Sequence, residues 1–186
     1  MRILVDMDGV LADFDGGVIE TYNRLHPRDV VAFPEKRTHR YISWEYPGEI
    51  RSELEGIIAS PGFFRGLKPI PGAIGAVYEM KRRGDEVYFC TRPLLTNLFC
   101  MDEKRRWTLE YFGKEWVARV IPEMDKTRVP GDILIDDNPN ADKGERIPTW
   151  EQILYTQPYN DHIEGKRRLT WTTNWRGVLY PAVNNS

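Results

Sequence analysis

Cysteine is scarce. The chain holds only Cys90 and Cys100, too few for a disulfide scaffold and in keeping with a reducing compartment. Its three histidines, His26, His39 and His162, are scattered, so no zinc-type Cys/His cluster forms along the sequence. An excess of basic charge is missing too. Lys and Arg number 26 against 28 Asp and Glu, for a net charge of -2, which argues against a dedicated polyanion binder and so against a nucleic-acid polymer as partner. No apolar run reaches transmembrane length, so no membrane partner is expected. Met1 leads straight into an apolar segment, leaving no room for a signal peptide. A cytoplasmic protein is the expectation. Internal repeats, heptads and low-complexity tracts are absent as well.

What is present is organised around the first ten residues, Met1-Arg-Ile-Leu-Val-Asp-Met-Asp-Gly-Val10. The short apolar run Ile3 to Val5 suits a strand buried on both faces of a parallel sheet. It ends in Asp6 and Asp8, and Gly9 permits a sharp turn after them. Chemistry in open α/β sheets sits past the carboxyl ends of the strands. Two carboxylates this close repel, and Mg²⁺ is the obvious way to keep both ionised.

The remaining 176 residues of the 186-residue chain alternate between helical and strand patterns. A helix is predicted from Asp13, as N-cap, to Leu25. Residues 26 to 47 have no period. Glu49 to Ser60 carries Ile50, Leu54, Ile57 and Ile58 at helical spacing, and Pro61-Gly62 stops it. Ala73 to Arg83 is helical and closes at Gly84. Glu86 to Cys90 is a second strand, with Thr91 at its tip. A helix from an Asp102 N-cap to Phe112 follows, then strands at Val117–Ile121, Asp132–Asp137 and Ile153–Thr156. Trp171, Trp175 and Val178 to Tyr180 suggest a last helix. Lys166-Arg167-Arg168 reads as a solvated turn. The pattern is an α/β three-layer domain with a central parallel sheet. Residues 17–65 contain no parallel strand and read as a small helical cap, with 1–16 and 66–186 as the core.

Four strand tips would thus bring together Asp6 and Asp8, Thr91, Lys126, and Asp136 with Asp137. These groups suit phosphoryl transfer. One carboxylate can attack phosphorus, a second can move the proton, and a hydroxyl and an ammonium can hold the phosphate oxygens. The segments Asp-Met-Asp-Gly-Val (6–10), Cys-Thr-Arg-Pro (90–93), Asp-Lys-Thr (125–127) and Leu-Ile-Asp-Asp (134–137) resemble the four motifs of the haloacid dehalogenase superfamily of phosphatases. Val5 to Phe14, Pro61 to Phe64, Leu67 to Ala73, Glu103-Lys104 with Trp107, Pro148 to Leu154, and Arg168 to Trp171 with Asn174-Trp175 are similar to the 5′(3′)-deoxyribonucleotidases.

That resemblance implies a Rossmann-like core and a nucleoside monophosphate substrate, pyrimidine deoxynucleotides such as dUMP and dTMP foremost. It implies Asp6 as nucleophile and Asp8 as general acid/base. Asp6, the Asp8 backbone carbonyl, Asp137 and its close partner Asp136 would surround Mg²⁺. Thr91, Arg92 and Lys126 would bind phosphate, and Phe14, Tyr41, Ile42 and Phe63 would line the substrate pocket. A homodimer is compatible with it. Three positions depart from the family pattern. Arg92 stands where Ser is usual, Met124 where Arg is usual, and Arg40 near the site of a cap aromatic. Two alternatives stay open: a phosphatase of the same fold acting on another small ester such as a sugar phosphate, and a non-catalytic phosphate-ligand binder.

Overall fold

The computed structural model describes residues 1–181. Six strands form one parallel sheet. They are β1 (Arg2–Val5), β2 (Glu86–Thr91), β3 (Val120–Pro122), β4 (Ile133–Asp136), β5 (Glu151–Tyr155) and β6 (Arg168–Leu169), in the spatial order β3-β2-β1-β4-β5-β6. Among the described residues six α-helices accompany them: α1 (Phe14–Leu25), α2 (Gly48–Ala59), α3 (Ala73–Arg82), α4 (Cys100–Phe112), α5 (Lys114–Val117) and α6 (Trp175–Leu179). Among the described residues no helix is long and apolar enough to cross a membrane.

β1 lies between β2 and β4, with Val5 in register with Phe89 on one side and Ile135 on the other. Ile3, Leu4 and Val5 are wholly buried, which is why this segment shows no polar alternation. Successive side chains still take opposite faces. Ile3 and Val5 join Phe89, Ile133 and Ile135 in the large core beneath the helices. Leu4 joins Cys90, Leu134 and Trp150 on the other face. The layer over that second face is mostly irregular. It is fixed by the buried Trp150 indole, which donates to the carbonyls of Lys126 and Val129 at 3.3 and 3.2 Å. The chain leaves β1 toward β2 and β3 and returns past it to β4, β5 and β6. The topological switch point, where such sheets bind ligands, is therefore between β1 and β4.

Asp13 caps α1 as the sequence suggests, its side chain accepting from the Gly16 amide at 3.0 Å. Three local expectations are corrected. α4 begins at Cys100, and Asp102 lies in its first turn, paired with Arg106 at 2.7 Å, rather than capping it. Val117 ends the short helix α5, so β3 starts only at Val120. Gly113 takes a positive φ of 89° and turns the chain so that Trp116 stacks on Phe89. The Lys166–Arg168 stretch is not simply a solvated turn. Arg168 opens β6, and its guanidinium donates to the Asn160 and Ile163 carbonyls at 3.0 and 2.9 Å. A two-residue strand opening on a charge leaves no apolar pattern to read.

α1 and α2, with the stretch between them, stand over one end of the sheet. The chain enters and leaves this part side by side. The Asp13 amide donates to the Lys68 carbonyl, and the Ile70 amide to the Leu11 carbonyl, both at 2.8 Å. α2 is tied down from below. Asn97 Nδ2 donates to the carbonyls of Ile58 and Ser60 at 3.1 Å. Buried Glu103 accepts from the amides of Gly62 and Phe64 at 2.5 and 3.0 Å. Between α1 and α2 the only regular element is one 3-10 turn, Ile42–Glu45.

Candidate active site

Asp6 and Asp136 end adjacent strands, and the Asp6 amide still bonds the Ile135 carbonyl at 2.9 Å. Their carboxylates share one cation. Lys126 Nζ lies 2.8 Å from Asp6 Oδ1 and 2.6 Å from Asp136 Oδ2. Lys126 follows β3 in the turn capped by Asp125, whose side chain accepts from the Thr127 amide at 3.0 Å. Burial works against the Lys126 charge, but Asp136 and Asp6 outweigh it and raise its pKa.

A second lysine does the same on the other side. Lys104 Nζ donates to Asp8 Oδ2 and Thr91 Oγ1, both at 2.7 Å, and to the Arg92 carbonyl at 3.1 Å. In the sequence Lys104 belongs to a segment similar to the family, Glu103-Lys104 with Trp107, but nothing there marks it as part of the site. A signal was available: α4 turns Glu103, Lys104 and Thr108 inward with Cys100, Trp107 and Phe112. Polar residues on the buried face of an amphipathic helix need partners.

Asp136 has both oxygens engaged, Oδ2 by Lys126 and Oδ1 by the Asn138 amide at 2.8 Å. Asp137 does not. Its Oδ2 accepts from the Tyr159 hydroxyl at 2.5 Å, while its Oδ1 is buried and without a hydrogen-bond partner. One oxygen each from Asp6, Asp136 and Asp137 fall within 4.8 Å of one another. Burial, then Asp136 and Asp6, push the Asp137 pKa well up. Burial also raises the pKa of Asp8, against the opposing pull of Lys104. Four carboxylates thus face two lysines, and the excess equals the charge of one divalent cation. An orphaned buried oxygen beside that excess fits a hard metal ion bound through oxygen.

Gly9 makes the close approach feasible. Its φ is +73°, and a Cβ on it would overlap Asp137 Oδ2. The neighbouring thiol takes no part in such chemistry, since burial pushes the Cys90 pKa up to about 12.

Above these groups opens a cavity of about 680 Å³, bounded by Asp8, Gly9 and Asp137 below and by Phe14, Arg40, Tyr41, Ile42 and Phe64 among others. Phe14, Tyr41 and Ile42 line it. Phe63 does not. It meets Phe14 edge-on, with ring centroids 5.3 Å apart, and lines a separate cavity of about 450 Å³ between α1 and α2. Its neighbour Phe64 lines the larger cavity. Thr91 is wholly buried. Arg92 lies across to the next loop, with Nε and Nη2 donating to the Met124 carbonyl at 3.0 and 2.7 Å. Residues 92 and 124, the two departures noted in those motifs, are thereby in contact.

The stretch 37–45 is held by buried charge. Arg37 pairs with Asp15 and donates from Nη2 to the carbonyls of His39 and Arg40, both at 2.9 Å. Its guanidinium lies 5.2 Å over the Tyr159 ring. Glu45 accepts from the amides of Thr38 and His39 at 2.6 and 2.7 Å. Neither residue stood out in the sequence.

Comparison with known proteins matches residues 1–180 to the family described as 5′ nucleotidase, deoxy (Pyrimidine), cytosolic type C protein. The human cytosolic-type 5′(3′)-deoxyribonucleotidase is 41% identical over 188 residues, spanning 96% of this chain and 93% of that one. The human mitochondrial 5′(3′)-deoxyribonucleotidase is 37% identical, spanning 96% and 82%. Among solved structures, a HAD family hydrolase from Deinococcus radiodurans with bound phosphate and sodium covers 96% of this chain, with a TM-score of 0.58 and 14% identity. That last likeness is one of fold.

Proposed function

The chain belongs to the 5′(3′)-deoxyribonucleotidase family, and we propose that it is a Mg²⁺-dependent phosphatase of deoxynucleoside monophosphates, with pyrimidine substrates such as dUMP and dTMP foremost. The observation that carries this reading is the buried cluster of Asp6, Asp136 and Asp137, with the unpartnered Asp137 Oδ1, under a cavity large enough for a nucleotide.

An all-oxygen donor set suits Mg²⁺. Asp6, Asp137 and the Asp8 carbonyl would hold it, with Asp136 as the partner that is already saturated by Lys126 and Asn138. Bound there, the ion would neutralise the carboxylates and polarise the phosphate. The Asp6 carboxylate attacks phosphorus, forming an aspartyl-phosphate as the bond to the nucleoside oxygen breaks. Asp8 gives its proton to that oxygen. Burial raises the Asp8 pKa against the pull of Lys104, and Lys104 holds Oδ2, which leaves Oδ1 for the proton. Water then attacks phosphorus, Asp8 recovers a proton from it, and phosphate leaves Asp6. Thr91, Lys126 and Arg92 steady the phosphate oxygens in this scheme.

We take residues 17–65 as the cap that excludes polymers, supported by the adjacent chain crossings at 11–13 and 68–70. Cytoplasmic residence and a homodimer belong to the same reading. The test is phosphate release from a panel of ribo- and deoxynucleoside monophosphates and sugar phosphates with Mg²⁺. Pyrimidine deoxynucleotides should lead, and Asp6→Asn should lower their turnover by at least about 10³-fold. Nucleotides among the poorest substrates would overturn the substrate assignment, and an active Asp6→Asn variant would overturn the mechanism.

A further inference from the structure

We propose that Arg40 is a catalytic contact delivered from the cap, its guanidinium gripping the transferring phosphoryl group much as an arginine finger does. The inference rests on the phosphatase reading of the site and adds a residue to it. Two arginines three positions apart on one loop are used in opposite ways. Arg37 is buried, pairs with Asp15 and spends Nη2 on two backbone carbonyls. One of those carbonyls belongs to Arg40, so the Arg40 backbone is pinned. The Arg40 side chain, by contrast, makes no hydrogen bond among the described residues. It faces the same cavity as Asp8, Gly9 and Asp137. Its nearest carboxylate oxygen is Asp137 Oδ1, 4.0 Å from Nη2, the one oxygen of that pair which nothing else holds.

A metal ion on Oδ1 would take that weak partner away. With a divalent ion bound, the acids of the floor no longer outweigh Lys104 and Lys126, and the arriving phosphate brings fresh negative charge. The guanidinium, partly exposed and 5.7 Å from the Tyr41 ring centroid, then has no anionic partner until the phosphate arrives beside the metal. A planar, always-charged fork with free donors and a fixed backbone is well suited to phosphate oxygens. Arg92, the other arginine at this cavity, gives two donors to the Met124 carbonyl and so has fewer left for phosphate than Arg40. Because Arg40 stands on the cap and the acids on the core, the contact exists only while the two are together. This links cap position to the chemical step.

The test uses full-length protein with Mg²⁺ and two variants, Arg40→Gln and Arg40→Lys, whose thermal midpoints are compared with that of the wild type. Calorimetry gives the affinity for inorganic phosphate and, separately, for Mg²⁺. Turnover is measured on dUMP and on p-nitrophenyl phosphate, which has no sugar or base. Arg40→Gln should weaken phosphate binding about tenfold and lower kcat/KM about 10²-fold on both esters alike. Mg²⁺ affinity should hold, and Arg40→Lys should recover part of the loss. A loss confined to dUMP, with phosphate affinity intact, would assign Arg40 to the nucleoside and overturn the proposal. An equal loss of Mg²⁺ affinity would overturn it as well, by placing the effect in the metal site. Phosphate binding needs no turnover, so the two readings fail separately. An active wild type indifferent to Arg40→Gln sinks only this proposal, and poor nucleotide turnover with Arg40-dependent phosphate binding sinks only the nucleotidase assignment.

Discussion

The floor of the site and the loop above it reach order by opposite routes. On the floor the backbone places the side chains. Parallel register sets Asp6 beside Asp136, and the lysines then fill the gaps between acids. In the loop, side chains place the backbone. Thr38 to Glu45 has almost no regular hydrogen bonding of its own, and the buried charges of Arg37 and Glu45 gather its amides and carbonyls instead. A floor built this way tolerates little change in shape. A loop built this way depends on a few charges and can be moved without disturbing the floor. If the two are as independent as this suggests, each can be broken while the other stands.

Short of removing a catalytic acid, the largest effect is expected on the floor, from Gly9→Ala. The added Cβ meets a left-handed backbone with φ +73° and overlaps Asp137 Oδ2. Neither the turn nor the carboxylate can yield cheaply, because Tyr159 and Asn160 hold Asp137 from behind. Mg²⁺ affinity should fall about 10- to 100-fold, and turnover by at least about 10²-fold. Calorimetry and steady-state kinetics measure these. Hydrogen exchange of the amides at 38 and 39, held by Glu45, should stay as in the wild type. Faster exchange there would mean that loop and floor are not separate.

The same division explains what could be read from the sequence. Each acid of the floor ends an apolar run, so strand pattern and chemistry coincide at Asp6, Asp8, Asp136 and Asp137. Thr91 and Lys126 follow from their positions after two further strands. The loop has no periodicity, because its order comes from pairings such as Arg37 with Asp15, 22 residues apart. No local rule predicts these. Lys104 falls between the two cases. Its helix was legible, but its partner Asp8 lies 96 positions away, and only the fold brings the two together. Phe63 and Phe64 show the limit of a motif. Both are aromatic and adjacent, and the packing of Phe14 decides which one faces the cavity.

Arg37→Met breaks the other member of the comparison. It keeps much of the side-chain volume but leaves the half-buried Asp15 and two carbonyls without their donor. Removing one partner of a fully buried ion pair costs about 3–5 kcal/mol; Asp15 is only half-buried, so the loss here is smaller, and it is drawn from the loop rather than the sheet. Protection of the amides at 38 and 39 should be lost. Turnover should fall about tenfold, because the segment that carries Arg40, Tyr41 and Ile42 is no longer held. Mg²⁺ affinity should remain within about twofold. A large drop in metal affinity would show that Arg37, through its contact with the Tyr159 ring, supports the floor directly.

The smallest effect sharpens the comparison through pH. In the metal-free protein, burial raises the pKa values of Asp8, Asp136 and Asp137 above the ordinary 3.8. The folded state then holds these protons more tightly than the unfolded chain does. The contribution of the three acids to stability therefore falls as pH rises from about the unfolded value through the raised one. Mg²⁺ binds the ionised carboxylates, so its stabilisation grows across the same interval. The rise in Tm on adding Mg²⁺ should be small near pH 5 and larger near pH 7.5. At saturating metal the difference should be a few degrees, since about 1 kcal/mol moves Tm by about 2–4 °C in a chain of this size. Glu79, held down to about 2 by Arg176 and Arg83, and Asp125 and Glu151, also lowered, act in the opposite sense. They stand outside the metal cluster, so their effect cancels between scans with and without Mg²⁺. Asp137→Asn should flatten the difference, whereas Arg37→Met should lower both Tm curves and keep their divergence with pH. A metal response equally lost in Arg37→Met would place the loop among the supports of the metal site, and the two routes to order would merge into one.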